Sequence, residues 1–172
     1  MRVFLIAGKA GSGKNEVAIH IEEELENTVI TSFSKYIKLF TLELTDWDGR
    51  DITKPRVELQ NMGDKLRAID KDFLTKRLLE DIEVYKREGI SNVVISDVRL
   101  VNEIEYFKKQ DEIEVITIRV NCDNSRRNLT DIEKKHVTET ELDNYDGFDY
   151  IIENKFNEKL EIQIDKMLEG MK

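Results

Sequence analysis

The sequence is poor in several residue types that mark particular classes of protein. It contains one cysteine, Cys122, so no internal disulfide can form, and Cys122 lacks the partner spacing of a zinc site. It contains one proline, Pro55, and no serine- or glycine-rich linker, repeat or low-complexity tract. We therefore expect a single continuous domain over residues 1–172, in a reducing compartment.

Long apolar runs are also missing. The run Val3–Ala7 near the N-terminus is followed at once by Gly8 and Lys9. A signal peptide needs an apolar core of about 7 residues or more, and a membrane-spanning helix needs about 20. We therefore expect no membrane association and a cytoplasmic location.

Positive charge is scarce, since the formal net charge is −9 and the isoelectric point is about 4.9. Extended nucleic-acid binding needs a basic surface, so we expect none. Between Arg50 and Arg77, however, eight Lys and Arg face five Asp and Glu, a local net charge of +3. This patch suits a small anionic ligand, such as a nucleotide or a phosphorylated metabolite, although a solvated helix face would give the same count.

Strands and helices are predicted to alternate along the chain. Apolar runs rich in β-branched residues predict buried strands at Val3–Ala7, Thr28–Ser32, Asn92–Ser96, Val115–Val120 and Tyr150–Ile152. Amphipathic stretches between them predict helices at Asn15–Glu26, Pro55–Ile69, Lys71–Lys86, Asn102–Gln110 and Asn157–Met167. This alternation is typical of an α/β fold with a mainly parallel sheet, where ligands bind beyond the carboxyl ends of the strands.

Residues 8–15 read GKAGSGKN and match the G-x-x-x-x-G-K pattern of a phosphate-binding loop. The glycines let backbone amides turn inward around a β-phosphate, and the following helix adds its positive N-terminal end. Lys14 would neutralise the β- and γ-phosphate oxygens. The predicted nucleotide-binding residues are therefore Gly8, Lys9, Ala10, Gly11, Ser12, Gly13, Lys14 and Asn15.

Two residues are predicted to serve a Mg²⁺ ion. Asn15 stands where a Ser or Thr hydroxyl usually binds the metal, and its amide oxygen can act directly or through a water. Asp97 follows the predicted strand Asn92–Ser96, where a carboxylate can hold Mg²⁺ opposite the phosphate loop. Capping of the next helix is the alternative role for Asp97. Arg99 lies two residues further on, within reach of the same crevice.

The predicted helix that starts at Pro55 has two distinct faces. Its buried stripe is predicted to consist of Leu59, Met62, Leu66 and Ile69. A second face carries Arg56, Gln60, Gly63 and Arg67. Guanidinium groups match phosphate oxygens, and a glycine between them leaves room for a ligand. This face is predicted to bind the phosphate of an acceptor, with a solvated face as the alternative.

A polar segment with the adjacent residues Arg126 and Arg127 follows the predicted strand Val115–Val120. Phosphoryl transfer passes through a charge-rich transition state. An arginine-bearing lid can stabilise that charge and exclude water. Arg126 and Arg127 are predicted to act in this way, and a solvated loop is the alternative.

Taken together, these motifs resemble a known family over nearly the whole chain. The chain resembles P-loop kinases of small phosphorylated metabolites, in particular the group that holds phage deoxynucleoside monophosphate kinases and animal-type phosphomevalonate kinase. The resemblance is carried by Gly13-Lys14, Arg56, Gly63, Arg67, Asp70, Phe73, Ile95 to Arg99, Asn102 to Ile104, Arg126-Arg127, Thr138-Glu139, Leu142 to Tyr145 and Phe148 to Asn154.

The resemblance implies a three-layer α/β P-loop NTPase fold of the nucleoside monophosphate kinase type, with a parallel five-stranded sheet flanked by helices. An acceptor-binding helical region would cover residues 33–88 approximately, and a short lid would cover 122–141 approximately. The implied cofactors are ATP, as phosphoryl donor, and Mg²⁺. Lys14 would clamp the phosphates and Asp97 would be the metal-side carboxylate, while the acceptor phosphate would be held by Arg56, Arg67 and Arg99. Arg126 or Arg127 would be the lid arginine.

The resemblance leaves the acceptor open. Phosphomevalonate kinases carry several extra basic residues in the loop, whereas this chain carries only Lys9, which favours a (deoxy)nucleoside monophosphate. The alternatives are a phosphomevalonate-type or other non-nucleotide phosphate acceptor, or a regulator that binds nucleotide without turnover. The last alternative is raised by Asn15, because the family usually has Asp there.

Overall fold

The computed structural model describes residues 1–122, 130, 135–156 and 159–171. The predicted lid arginines, Arg126 and Arg127, lie outside the described residues, and so does much of the predicted lid.

The central feature of the fold is a parallel sheet. Its strands are β1 Arg2–Ala7, β2 Thr28–Thr31, β3 Asn92–Val98, β4 Glu114–Asn121 and β5 Tyr150–Glu153. They lie in the order β2-β3-β1-β4-β5, and all four pairings are parallel. The predicted strands are therefore confirmed, with ends shifted by at most two residues, and β1 occupies the centre of the sheet.

Helices cover both faces of the sheet. Within the described residues the α-helices are α1 Lys14–Glu24, α2 Ser34–Leu44, α3 Arg56–Ile69, α4 Phe73–Arg87, α5 Val101–Lys108, α6 Val137–Thr140 and α7 Lys159–Glu169. Two short 3₁₀ turns lie at Asp51–Thr53 and Glu141–Asn144. The five predicted helices correspond to α1, α3, α4, α5 and α7.

The alternation of side chains along each strand explains the three layers. Val3 and Leu5 of β1 pack in one core cluster with buried residues of α2, α4 and α5. Phe4 and Ile6 point to the opposite face and pack in a second cluster with buried residues of α1 and α7. Both faces of the sheet are covered, so the residues of β1 that point to either face are apolar. The strand is therefore a continuous apolar run.

The helix α2 was not among the predicted helices. Its buried residues are Tyr36, Ile37 and Thr41, but Leu39 is 49% exposed and Leu44 is 70% exposed. The buried residues Ile37 and Thr41 do recur at helical spacing, so the sequence prediction missed a helix whose pattern is present.

The predicted buried stripe of α3 is correct in part. Leu59, Met62 and Leu66 are partly buried and pack against the core, but Ile69 is 83% exposed, so its predicted burial is wrong. Ile69 is the last residue of the helix, and the chain turns away at Asp70. At that point the helix no longer lies against the core.

Candidate functional site

The phosphate-binding loop joins β1 to α1, at the carboxyl end of the central strand. Gly8 lies so close to β4 that a Cβ atom built on it would be 2.5 Å from the Val120 carbonyl oxygen. Gly13 has a φ angle of 95°, and a Cβ there would be 2.1 Å from Nδ2 of Asn154. Gly8 therefore needs to be glycine because the β4 backbone leaves no room for a side chain. Gly13 needs to be glycine because Asn154 leaves no room and because its backbone is left-handed.

Lys14, the second lysine of the loop, is buried. Its Nζ atom donates hydrogen bonds to the carbonyl oxygens of Gly8, at 2.7 Å, and Lys9, at 2.8 Å. Nearby, the Ser12 hydroxyl is buried, and its oxygen has no hydrogen-bond partner among the described atoms. A buried hydroxyl without a partner is costly, and a phosphate oxygen would satisfy it. The loop therefore fits a polyphosphate chemically.

Asn154 supports the loop from β5 and was not assigned a role by the sequence motifs. Its Nδ2 atom donates to the Ser12 carbonyl oxygen at 2.9 Å, and its Oδ1 atom accepts from the Phe156 amide at 2.7 Å. The side chain is only 2% exposed. Asn154 thus ties the loop to the end of the fifth strand. Its place in the family resemblance was the only sequence signal for it.

Asp97 occupies an irregularity at the end of β3. Leu5 pairs with Ile95 but Ala7 pairs with Val98, so β3 has one extra residue there, a bulge that can re-aim a side chain. The carboxylate accepts hydrogen bonds from the amides of Phe33, at 2.8 Å, and Ser34, at 2.9 Å. Asp97 therefore does cap a helix, as the alternative interpretation held. However, that helix is α2 and not α5, the next in the chain.

A buried ion pair lies behind α3. The Arg67 guanidinium is 3.4 Å from Oε1 of Glu103, and both side chains are largely enclosed. Glu103 also accepts from the backbone amides of Arg99, at 2.8 Å, and Leu100, at 3.1 Å. Burial raises the pKa of the Glu103 carboxyl to about 7, although the Arg67 charge opposes this. Glu103 thereby fixes one predicted acceptor arginine by its side chain and another by its backbone.

Glu103 was quoted only as part of the family resemblance and was given no role. A further signal for it was available in the sequence, because it lies three residues after Leu100 at the start of α5. This is the spacing at which a glutamate turns back to the first amides of its own helix.

Arg99 lies beside the phosphate loop. Its Nη1 atom donates to the Gly8 carbonyl oxygen at 3.2 Å and pairs with Oε1 of Glu139 at 2.7 Å. The second oxygen of Glu139 accepts from the Ala10 amide at 3.0 Å. A carboxylate thus bridges the loop and an arginine that was predicted to bind the acceptor. Like Glu103, Glu139 was quoted only within the resemblance.

The segment of residues 136–144, which we call the strap, holds Glu139 in place. Asp143 pairs with Nζ of Lys9 at 2.9 Å, so the side chain of Lys9 is engaged by the strap. Glu141 accepts from the Val101 amide at 2.8 Å. His136 contacts Asp64 of α3 at 3.1 Å. The strap therefore touches the phosphate loop, the start of α5 and α3.

One cavity, with a volume of about 590 Å³, brings most of the predicted residues together. This volume is typical of small-molecule sites. The predicted residues that line it are Ala10, Gly11, Gly13, Lys14, Asn15, Arg56, Gln60, Gly63, Arg67, Asp97 and Arg99. Gly8, Lys9 and Ser12 are not part of the lining, and Arg126 and Arg127 lie outside the described residues. The cavity is thus bounded by the phosphate loop and by the basic face of α3.

Both residues predicted to serve Mg²⁺, Asn15 and Asp97, line the cavity. In the part of the chain that the structure describes, the only group of three or more His, Cys, Asp or Glu close enough to share an ion is His20, Glu24 and Asp165, towards the far end of α1. Mg²⁺ in nucleotide sites takes one or two protein ligands and completes its shell with phosphate oxygens and waters. An amide and a carboxylate beside the loop fit that donor set.

A comparison with one solved structure supports the fold described above. The structure is similar to TT1252 from Thermus thermophilus, with a TM-score of 0.61 and 15% identity over 99% of this chain and 97% of that one. A looser match is a shikimate kinase from Bacteroides thetaiotaomicron, with a TM-score of 0.47 and 11% identity over 99% of this chain and 97% of that one. The first match and the sheet order show a three-layer α/β fold with a parallel five-stranded sheet, in which the G-x-x-x-x-G-K motif joins β1 to α1. No protein-family model and no curated protein matched the sequence.

None of the described helices combines the length and the apolar character needed to cross a membrane.

Proposed function

We propose that the protein is an ATP-dependent kinase that transfers the γ-phosphoryl group to a phosphate-bearing small molecule, a (deoxy)nucleoside monophosphate. The observation that carries this proposal is a cavity bounded by the phosphate loop and by the basic face of α3. We assign the side lined by Lys14 and the loop as the donor end, and the side lined by Arg56 and Arg67 of α3 as the acceptor end. A cavity that binds one nucleotide alone would not need the second basic end.

The groups of this chain can account for transfer without a covalent intermediate. The loop amides and Lys14 would bind the β- and γ-phosphates, with the Lys14 ammonium moving from the carbonyls of Gly8 and Lys9 to the phosphate oxygens. Arg56 and Arg67 would hold the acceptor phosphate and reduce its repulsion of the γ-phosphate. Positioning and charge neutralisation then supply the catalysis.

Magnesium would bind near Asn15 and Asp97, directly or through water, and would neutralise charge on the donor phosphates. The Asp97 carboxylate keeps lone pairs for this role while it accepts from the Phe33 and Ser34 amides. We propose that Arg126 and Arg127 belong to a lid that excludes water from the transfer.

The test is to follow ADP formation from ATP and Mg²⁺ with a panel of acceptors. The panel contains deoxynucleoside and nucleoside monophosphates, and phosphomevalonate represents non-nucleotide acceptors. ADP formation with one class identifies the acceptor. We expect Lys14→Ala and Arg67→Ala each to reduce turnover by at least roughly 100-fold, which is the scale of losing a charge that acts on the transition state. Full activity in Arg67→Ala would remove the basic face of α3 from the mechanism.

A second candidate function is a regulator that binds nucleotide without turnover. Asn15 favours it, because an exposed amide at this position replaces the hydroxyl or carboxylate that usually serves the metal. The same assay separates the two functions. Tight ATP binding with no ADP formed from any acceptor would support the regulator and contradict the kinase.

A further inference from the structure

Glu139 lies between the phosphate loop and Arg99, both of which were predicted to bind phosphates. Its two carboxylate oxygens are bound by an amide of the phosphate loop, Ala10 at 3.0 Å, and by the Arg99 guanidinium at 2.7 Å. The side chain is only 10% exposed. A carboxylate so enclosed needs charged or N–H partners, and it takes them from the groups that would face phosphates in the proposed reaction.

The Ala10 amide cannot serve the Glu139 carboxylate and a phosphate of the nucleotide together. A polyphosphate in the loop would place several negative charges close to Glu139, in a site that is partly screened from water. Binding of the nucleotide must therefore work against the contacts of Glu139. The carboxylate would have to leave, and Arg99 would then be released towards the cavity, which it already lines.

The neighbours of Glu139 in the strap contact the two elements that bound the cavity, the phosphate loop and α3. Asp143 holds Lys9 of the phosphate loop, whereas His136 contacts Asp64 on α3, the helix of the acceptor end. Displacement of Glu139 would therefore affect the contacts of the strap with both the phosphate loop and α3.

We propose that Glu139 is a built-in competitor of the nucleotide phosphates, which holds the strap against the phosphate loop and is displaced when a polyphosphate binds. Displacement frees Arg99 for the acceptor phosphate, so that donor binding prepares the acceptor end. This inference rests on the proposed function, because it takes the loop to be a nucleotide site.

The variant Glu139→Gln tests the proposal. Glutamine keeps the size of the side chain and can still accept from the Ala10 amide, but it carries no charge. The matched control is Glu141→Gln, which removes the same charge two residues away while its amide oxygen can still accept from the Val101 amide. Calorimetric titration would measure the dissociation constants for ATP and for tripolyphosphate, a probe that has phosphates but no nucleoside.

We expect Glu139→Gln to bind ATP and tripolyphosphate more tightly than the unmodified protein, by about tenfold, within the usual range for coupling between sites. Glu141→Gln should change either affinity by less than about twofold, because Glu141 is exposed and solvent screens its charge. Glu139→Ala, which also removes the hydrogen bond, should tighten binding in the same direction and guards against a variant-specific effect.

The outcomes separate this inference from the function. If the unmodified protein binds ATP and Glu139→Gln binds it equally or less tightly, the competitor role is wrong and the kinase proposal stands. If both glutamine variants tighten binding equally, the effect is one of general charge, and the competitor role is again wrong. Tightening for ATP but not for tripolyphosphate would also overturn it, since the competition is with phosphates. If no variant binds ATP, both proposals fail.

Discussion

At the scale of single residues, Glu103 combines full burial with contacts to two arginines. Its carboxyl group accepts from the Arg99 and Leu100 amides and faces the Arg67 guanidinium. The loss of water around the charged form outweighs the attraction of Arg67, so the pKa rises from 4.5 to about 7. Small changes of pH near neutrality therefore alter the charge of Glu103, and with it the ion pair to Arg67 behind the cavity.

This raised pKa predicts a pH-dependent stability. A carboxyl group whose pKa is higher in the folded state stabilises the fold below its unfolded pKa, and that contribution is lost as the pH rises through the folded pKa. Between roughly pH 5 and pH 8 the free energy of unfolding of the unmodified protein should fall, relative to Glu103→Gln, by on the order of 2 kcal/mol. Chemical unfolding at several pH values measures this difference.

The control is Glu105→Gln, a substitution of an exposed glutamate on the same helix, which should follow the unmodified protein across the pH range. A difference between the unmodified protein and Glu103→Gln that stays constant with pH would show that Glu103 does not ionise in this window.

At the scale of elements, the sequence predicted best what depends on local pattern. The five strands are rich in apolar, β-branched residues because helices cover both faces of the sheet, and such stretches are visible without any tertiary information. Helix α2 was missed although its buried residues Ile37 and Thr41 recur at helical spacing; the apolar residues Leu39 and Leu44 of the same helix are exposed. The bulge that aims Asp97 at α2 depends on how β3 pairs with β1, which no run of residues within β3 encodes.

Helix α3 provides an element-scale prediction at Gly63, its only buried residue. A Cβ atom there would be 2.8 Å from Nη1 of Arg67 and 3.2 Å from Cδ1 of Ile37 on α2. Because the first contact is the end of a flexible side chain, Gly63→Ala should fold, helped by the better helix propensity of alanine. The Arg67 guanidinium, however, must move.

We therefore expect Gly63→Ala to raise the KM for the acceptor by about tenfold, the scale of weakening one charge-assisted hydrogen bond, with little change in the KM for ATP. Steady-state kinetics with each substrate varied in turn measures both constants. Gly170→Ala is the control, since a Cβ there meets only ordinary contacts at 3.5 Å and lies at the end of α7. An unchanged acceptor KM in Gly63→Ala would mean that the position of Arg67 does not matter for acceptor binding.

At the scale of the whole molecule, the site is assembled from residues that are distant in sequence. Glu139 contacts Ala10 across 129 positions, and Asn154 supports Ser12 across 142. The phosphate loop could be predicted because its chemistry lies in eight consecutive residues. The roles of Asn154 and Glu139 could not be assigned from sequence spacing. Only the folded chain brings the end of β5 and the strap next to the phosphate loop.

The overall arrangement predicts that the two ends of the cavity can be disabled separately. A ligand that binds only the folded state at about 100 times its dissociation constant adds about 2.7 kcal/mol of stability, which for a chain of this size corresponds to a rise in melting temperature of roughly 5–10 °C. The unmodified protein should show such a rise with ATP and Mg²⁺, and separately with its acceptor.

Lys14→Ala should lose the rise caused by ATP and keep the rise caused by the acceptor, whereas Arg67→Ala should show the reverse pattern. Each variant is compared with its own ligand-free melting temperature, because Arg67→Ala leaves Glu103 without its ion-pair partner. If each substitution abolished both rises, the cavity would act as one undivided anion site, and the assignment of separate donor and acceptor ends would be wrong.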